Sequence, residues 1–225
     1  MYTIIVIKGV LVKMKQDENL VAFPQFPESY WLASTDVPNF PKLNEDIQVD
    51  VAIVGAGITG ITTAYLLSKK GLNVAVVDAG RILHGTTGHT TAKITAQHDL
   101  IYSEFLSHFG KEKTRLYYEA NRDALEFIRQ TVEENHIDCQ FTEEDAYVYT
   151  SADTHVEKIS DEYKAYKELG IPGSYVEQTP LPFSTKAAIM MENQAQFNPV
   201  PFLRYLANQV IRQGGKIYEQ TTVVG

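Results

Sequence analysis

The sequence predicts an α/β protein built on a parallel sheet, and three observations carry that prediction. Residues 49–54 (VDVAIV) form a continuous apolar run of β-branched type, the composition of a strand buried on both faces. The run ends on Gly55-Ala56-Gly57-Ile58-Thr59-Gly60, after which ITTAYLLSKK repeats apolar residues at helical spacing as far as Gly71, a C-terminal stop. Residues 73–78 (NVAVVD) then form a second buried strand. Strand, glycine-rich turn, helix and strand in succession make a βαβ unit.

The elements around this unit follow from local pattern. Residues 1–12 (MYTIIVIKGVLV) are apolar but interrupted by Lys8, too short for a membrane span and without a cleavage site. They read either as a buried or edge strand or as an upstream extension to a chain whose working start is Met14. Residues 23–43 are rich in aromatics and prolines (Pro24, Pro27, Pro38, Pro41), which forbid a long helix and predict an extended arm anchored by Tyr30, Trp31 and Phe40. Past the βαβ unit, residues 81–93 (RILHGTTGHTTAK) have neither helical nor strand period, and their glycines and hydroxyls suit a loop lying against a polar ligand. A helix capped by Asp99 is expected to end at Gly110. A long amphipathic helix over 111–134 would turn Leu116, Tyr117, Ala120, Ala124, Phe127, Ile128 and Val132 inward. Residues 138–150 read as two strands about the acidic turn Glu143-Glu144-Asp145, and 153–169 as a helix ended by Gly170. KAAIMM is a strand candidate, and Asn198-Pro199 starts a helix that Gly214-Gly215 closes. Residues 216–224 (KIYEQTTVV) read as a further strand.

The glycine turn carries the chemistry. Gly55 permits the sharp strand-to-helix turn, Gly57 lets backbone amides approach a pyrophosphate, and Gly60 lets the helix press on the sheet. The helix N-terminus offers unpaired N–H groups and a positive dipole end to phosphates. Asp78, ending the second strand, can accept hydrogen bonds from both ribose hydroxyls while its charge repels a 2′-phosphate. A dinucleotide is therefore the expected ligand. The fingerprint alone admits NAD or FAD; the helix-free segment over 81–93 favours FAD, because an NAD-binding fold would more often run straight into another helix.

Composition narrows the remaining chemistry. With 20 Lys+Arg against 28 Asp+Glu the formal charge is −8, which gives nucleic-acid binding no electrostatic support. A single cysteine, Cys139, rules out an internal disulfide framework and any cysteine-built zinc or iron–sulfur site in these 225 residues, and points to the cytoplasm. The six histidines show no metal-ligand spacing, so no metal site is expected. No G-x-S-x-G element or other catalytic motif is present, so no catalytic residue is nominated.

Residues 49–99 resemble the amino-terminal part of FAD-dependent oxidoreductases of the D-amino-acid oxidase/glycine oxidase superfamily. GTTGHTTAK is closer still to a bacterial branch whose full-length members carry a C-terminal Rieske iron–sulfur domain, and SYWLAST, ENQAQFNP and GGKIYEQTTV are similar to that branch as well. The resemblance implies a Rossmann-like FAD-binding domain split by an inserted α+β substrate-side domain. It implies an N-terminal extension and arm over 1–46, the first half of the FAD domain over 47–110, the insert over 111–196 and a return over 197–225. The sequence is then expected to stop before the FAD domain is complete. Gly55, Gly57, Thr59 and Gly60 would line the pyrophosphate, Asp78 the adenosine ribose, and Arg81 the adenine end. Thr86 and Thr87 match the loop reaching pyrophosphate and flavin, Val223 the position whose backbone meets adenine, and His89 and Gln97 adjoin that loop. The implied reaction is hydride transfer from an amine, amino-acid-like or other small substrate to flavin, with electrons passing to O₂ or to an iron–sulfur (Rieske) domain outside these residues. The arginine that holds a substrate carboxylate in many relatives would lie beyond residue 225. The alternatives are a truncated, non-catalytic chain that keeps the fingerprint, and an NAD-binding module.

Overall fold

The computed structural model describes the backbone of residues 2–5 and residues 28–224, so Met14 and the first part of the arm, Phe23 included, lie outside the described residues. In chain order the elements are β1 (Tyr2–Ile5), α1 (Tyr30–Ala33), β2 (Val51–Val54), α2 (Ile58–Lys69), β3 (Val74–Val77), β4 (Lys93–Ile94), α3 (Tyr102–Asn135), β5 (Thr142–Thr150), α4 (Val156–Leu169), β6 (Ser174–Val176), β7 (Ala187–Gln196), α5 (Pro199–Arg212) and β8 (Lys216–Tyr218). They fall into two compact units, one of Met1–Gln16, Lys93–Glu134 and Gln140–Phe197, the other of Asp17–Ala92, Asn135–Cys139 and Asn198–Gly225. The helical stretch ending at Gly110 therefore belongs to the unit that contains Lys93–Glu134, not with the βαβ segment.

The second of these, the parallel unit, contains the βαβ element. Its sheet has the order β2-β3-β8, with Val51 beside Val74 and Val54 beside Val77, and Val77 beside Tyr218. All four residues of β3 are buried, as an all-apolar strand requires. On one face Val74 approaches Val210 of α5 around Gly215. On the other, Ala75, Val77 and Tyr218 pack with Leu43, Ile47 and Val49 of the arm. β2 departs from the expectation of burial on both faces: Ala52 and Val54 are exposed, Val54 by 69%. They share the face of Ala75 and Val77, but the cluster that Leu43, Ile47 and Val49 form with β3 and β8 includes no residue of β2. Helix α5 starts as its sequence dictates. The Asn198 carboxamide oxygen accepts from Val200 N at 3.2 Å, with proline in the first turn.

The arm is not extended throughout, because Tyr30–Ala33 makes a turn of helix. Trp31 anchors it through an indole N–H donated to the Thr90 carbonyl at 2.8 Å, and Phe40 is half-buried. Tyr30 does not anchor: it is 61% exposed, resting edge-on against Trp31.

The antiparallel unit holds a sheet of order β1-β5-β7-β4, with β6 also paired to β7. Residues 2–5 are its edge strand, antiparallel to β5. The acidic run Glu143-Glu144-Asp145 is not a turn between two strands. β5 passes straight through it with a register irregularity between Glu144 and Ala146, which lets one strand absorb the run while staying paired to β7. Glu143 is also more than a solvated charge, since it meets the Arg129 guanidinium at 2.7 Å.

Gly110 breaks α3 with φ +75°, at the place where the sequence separates two helices. That break resets the helical phase. The second stretch buries Thr114, Tyr118, Leu125 and Val132, whereas Leu116, Ala120 and Ala124, expected inside, face out. The phase is fixed by Tyr118, whose ring meets Tyr102 edge-on at 6.1 Å in a tyrosine cluster that includes Tyr166 at 5.5 Å. Asp99 does not cap this helix. The carboxylate of Glu162, fully buried on α4, accepts from Tyr102 N at 2.9 Å and Ser103 N at 2.8 Å instead.

Candidate dinucleotide site

The 55–60 turn is held from both sides. Gly55 has φ +95°, a backbone state that side chains disfavour, and its N–H donates to the Val77 carbonyl at 2.8 Å. A Cβ on Gly60 would lie 1.8 Å from the Gly55 carbonyl oxygen, so only glycine lets α2 start this close to the turn. Gly57 is the residue before the first helical turn, and a Cβ there would meet the Thr87 hydroxyl at 3.1 Å.

The amides of this turn divide into two sets. Ala56 N donates to Asp78 Oδ2 at 2.7 Å and Ile58 N to Thr87 Oγ1 at 3.0 Å. The N–H groups of Gly57, Thr59 and Gly60 have no protein acceptor among the described residues. Free donors at the head of a twelve-residue helix favour an anion.

The loop from Asp78 to Thr90 closes over the turn. Asp78, half-buried, also accepts from Gly80 N at 2.8 Å, and Leu83 N donates to the Ala56 carbonyl at 3.1 Å. Each Asp78 oxygen retains lone-pair capacity for a further donor. Residues Thr86–His89 make one turn of 3₁₀ helix in which Thr87 and Gly88 are buried and Thr86 and His89 exposed. His89 Nδ1 lies 3.0 Å from the Gly85 carbonyl, which can only accept, so Nδ1 carries the proton in this geometry. Arg81 is exposed and donates to Asn39 Oδ1 at 2.7 Å. Val223 is 56% exposed, two residues past Thr221, whose N–H donates to the Asp78 carbonyl at 2.8 Å.

The structure thus gathers Gly55, Gly57, Thr59, Gly60, Asp78 and Thr87 about one helix start, and ties the segment before Val223 to Asp78. Gln97 belongs to the antiparallel unit, where it is 1% exposed and its carboxamide donates to Tyr166 Oη and to the Ile189 carbonyl, each at 3.2 Å. Sequence reasoning missed Asn39, which meets Arg81, and Ser29, whose hydroxyl donates to the Gly88 carbonyl. It also missed Glu219, 4% exposed beyond β8. Polar residues of an irregular arm and a carboxylate past a strand end carry no pattern that reveals such partners.

Other chemistry is sparse. In the antiparallel unit a cleft of about 790 Å³ is lined by Asp99, Ser103, Glu104, His155, Lys158 and Asp161 among others, none of them a fingerprint residue. Among the described residues no group of three or more histidines, cysteines or carboxylates could hold a metal ion, and no helix is long and apolar enough to cross a membrane. Cys139 is buried.

Residues 50–225 match the family described as FAD dependent oxidoreductase. The chain is 51% identical over 198 residues to YhfW of Bacillus subtilis (strain 168), named for a Rieske 2Fe-2S iron–sulfur protein, covering 88% of this chain and 39% of that one. It is 22% identical over 202 residues to gamma-glutamylputrescine oxidoreductase of Escherichia coli (strain K12), covering 87% and 47%. Among solved structures, L-proline dehydrogenase from P. horikoshii superposes with a TM-score of 0.64 at 20% identity, covering 83% of this chain and 46% of that chain. The chain therefore spans less than half the length of each of these proteins.

Proposed function

This chain belongs to the FAD dependent oxidoreductase family, and from that membership we propose that its parallel unit holds the adenosine and pyrophosphate of FAD within an oxidoreductase acting on an amine or amino-acid-like substrate. The strongest support is the helix start itself: Gly57, Thr59 and Gly60 amides are left without acceptors while Asp78 and Thr87 hold the turn around them. A pyrophosphate would take those donors; Gly55 and Gly60 allow the tight turn that presents them, and Gly57 keeps a Cβ out of the approach. The residues fit the cofactor at the other end as well. Asp78 would accept from the ribose hydroxyls, and Arg81 and the backbone of Val223 would hold the adenine end. Thr86, Thr87 and His89 would serve the pyrophosphate and flavin side.

When bound, FAD would supply the two-electron acceptor for a hydride leaving the C–H bond next to an amine nitrogen, the C–N bond becoming C=N as the nitrogen gives up a proton. The residues of this chain bind and orient; none of them is assigned an acid or base role. The antiparallel unit is then the substrate-side domain, and an iron–sulfur protein or O₂ the electron acceptor. The name of YhfW supports the former and that of gamma-glutamylputrescine oxidoreductase an amine substrate.

Titration of the purified chain with FAD, followed by flavin fluorescence and by oxidised-flavin absorbance retained through gel filtration, tests the reading. Asp78→Ala removes the charge-assisted acceptor and is expected to weaken FAD binding about tenfold or more. Unchanged FAD occupancy in that variant, or preference for NAD over FAD, overturns the assignment. Bleaching of bound flavin by an amine separates an active enzyme from a chain that only binds.

A further inference from the structure

Glu219, which makes none of the proposed cofactor contacts, is a carboxylate only 4% exposed. Its partners are backbone amides from two segments far apart in sequence. Oε2 accepts from Phe40 N at 3.1 Å and Oε1 from Ile82 N at 2.9 Å. The backbone around it repeats the arrangement. Glu219 N donates to the Pro41 carbonyl at 3.1 Å, and Leu43 N donates to Thr221 Oγ1 at 3.0 Å. On the other side Gln220 N donates to the Gly80 carbonyl at 2.9 Å and Thr221 N to the Asp78 carbonyl at 2.8 Å. Residues 219–221 thus run between the arm and the 78–82 loop, and Glu219 puts one oxygen on each. A second link joins the same two segments directly, from the Arg81 guanidinium to Asn39 Oδ1 at 2.7 Å.

A carboxylate is suited to this place because it carries acceptors only. Both oxygens can receive N–H donors at once, whereas glutamine would turn an NH₂ group toward one of the two amides. With the site closed to water, that amide would have nothing else to bond.

We propose that Glu219 is a positioning residue that couples docking of arm residues 39–43 to ordering of the 78–82 loop, so that the adenosine end of the cofactor site is complete only when the arm is seated. The inference rests on the reading that Asp78 and Arg81 hold that end. The coupling itself needs no cofactor.

Hydrogen exchange on the full 225-residue chain, with and without FAD, tests it. Without FAD, Glu219→Gln should raise exchange at least tenfold in segments 40–43 and 78–82 together, leaving α2 and α5 protected. Asn39→Ala, which leaves the carboxylate in place, should raise both about threefold. With FAD, the wild-type arm should gain protection although it holds no proposed cofactor contact. In Glu219→Gln that remote protection should vanish while protection of the 55–60 turn remains, and the FAD dissociation constant should rise about tenfold. A carboxylate that merely stabilised the fold would not separate those two responses. Loosening of one segment without the other, or arm protection by FAD persisting in Glu219→Gln, overturns the proposal. If the wild-type chain takes up no FAD, the cofactor reading fails, and the cofactor-free exchange decides the coupling by the same criterion.

Discussion

Glu162 and Glu219 are both buried carboxylates, one in each unit, and each accepts two backbone N–H groups. What separates them is where the donors sit. Those on Glu162 belong to Tyr102 and Ser103, adjacent residues at the start of α3, where the positive end of the helix favours a negative charge. Those on Glu219 belong to Phe40 and Ile82, in two irregular segments. The same chemistry starts a helix in the antiparallel unit and cross-links loops in the parallel one. A helix start lost at Glu162 frays one element, whereas a bond lost at Glu219 frees two.

Truncation should expose this difference most strongly. Glu219→Ala leaves two buried amides without acceptors on separate segments, and its expected loss of stability is about 3 kcal/mol. Glu162→Ala removes a helix cap but also relieves the burial of a charge, so a smaller loss of about 2 kcal/mol is expected. Urea midpoints at constant slope measure both. The two side chains share no partner, so losses in the double variant should add to within about 0.5 kcal/mol. A larger loss for Glu162→Ala would reverse the comparison.

The pH dependence sharpens it further. Burial pushes the Glu162 carboxyl above the usual glutamate range, more than the hydrogen bonds from Ser103 and Tyr102 pull it back; Asp99 adds to the rise. Between the ordinary glutamate value of about 4.3 and the raised one, the folded protein binds more protons than the unfolded chain. Stability contributed at this position is therefore complete below that window and falls as pH rises through it. Glu162→Gln cannot titrate. Its stability relative to wild type, followed by thermal melts across the window, should improve with rising pH. A difference that stays flat would mean that the carboxylate is not penalised by its burial.

These two residues also mark where the sequence stops being legible. The turn geometry of Gly55 and Gly60 could be read because it is set by a short stretch of chain, a strand feeding a helix feeding a strand. Asn198-Pro199 could be read because a cap and a first-turn proline act on the next few amides alone. The start of α3 could not. Asp99 stands near in sequence, but the acceptor comes from Glu162 on another helix, and Asp99 itself takes φ +61°. The inward face of α3 was hidden for a similar reason: Gly110 breaks the phase, and Tyr118 rather than Leu116 finds the tyrosine cluster. β5 keeps its acidic run within one strand because a register shift against β7 accommodates it, with Asn193 N donating to Asp145 Oδ1 at 3.2 Å. Each miss is a tertiary partner overriding a local preference.

Asp78 is a third carboxylate of this kind, in the parallel unit. It too accepts two backbone amides, from Ala56 at 2.7 Å and Gly80 at 2.8 Å, but it is only half-buried. Water can therefore reach the amides that Asp78→Ala releases, and the expected loss of stability without cofactor is about 1 kcal/mol, below that of either buried glutamate. The same substitution is expected to weaken FAD binding about tenfold or more. A thermal melt of the cofactor-free variant beside an FAD titration separates the two roles. If Asp78→Ala melts as early as Glu219→Ala, the carboxylate is mainly a brace for the glycine turn, and weaker FAD binding would follow from a damaged turn. If it melts close to wild type while FAD binding falls, the ribose contact is the reason this strand ends on aspartate.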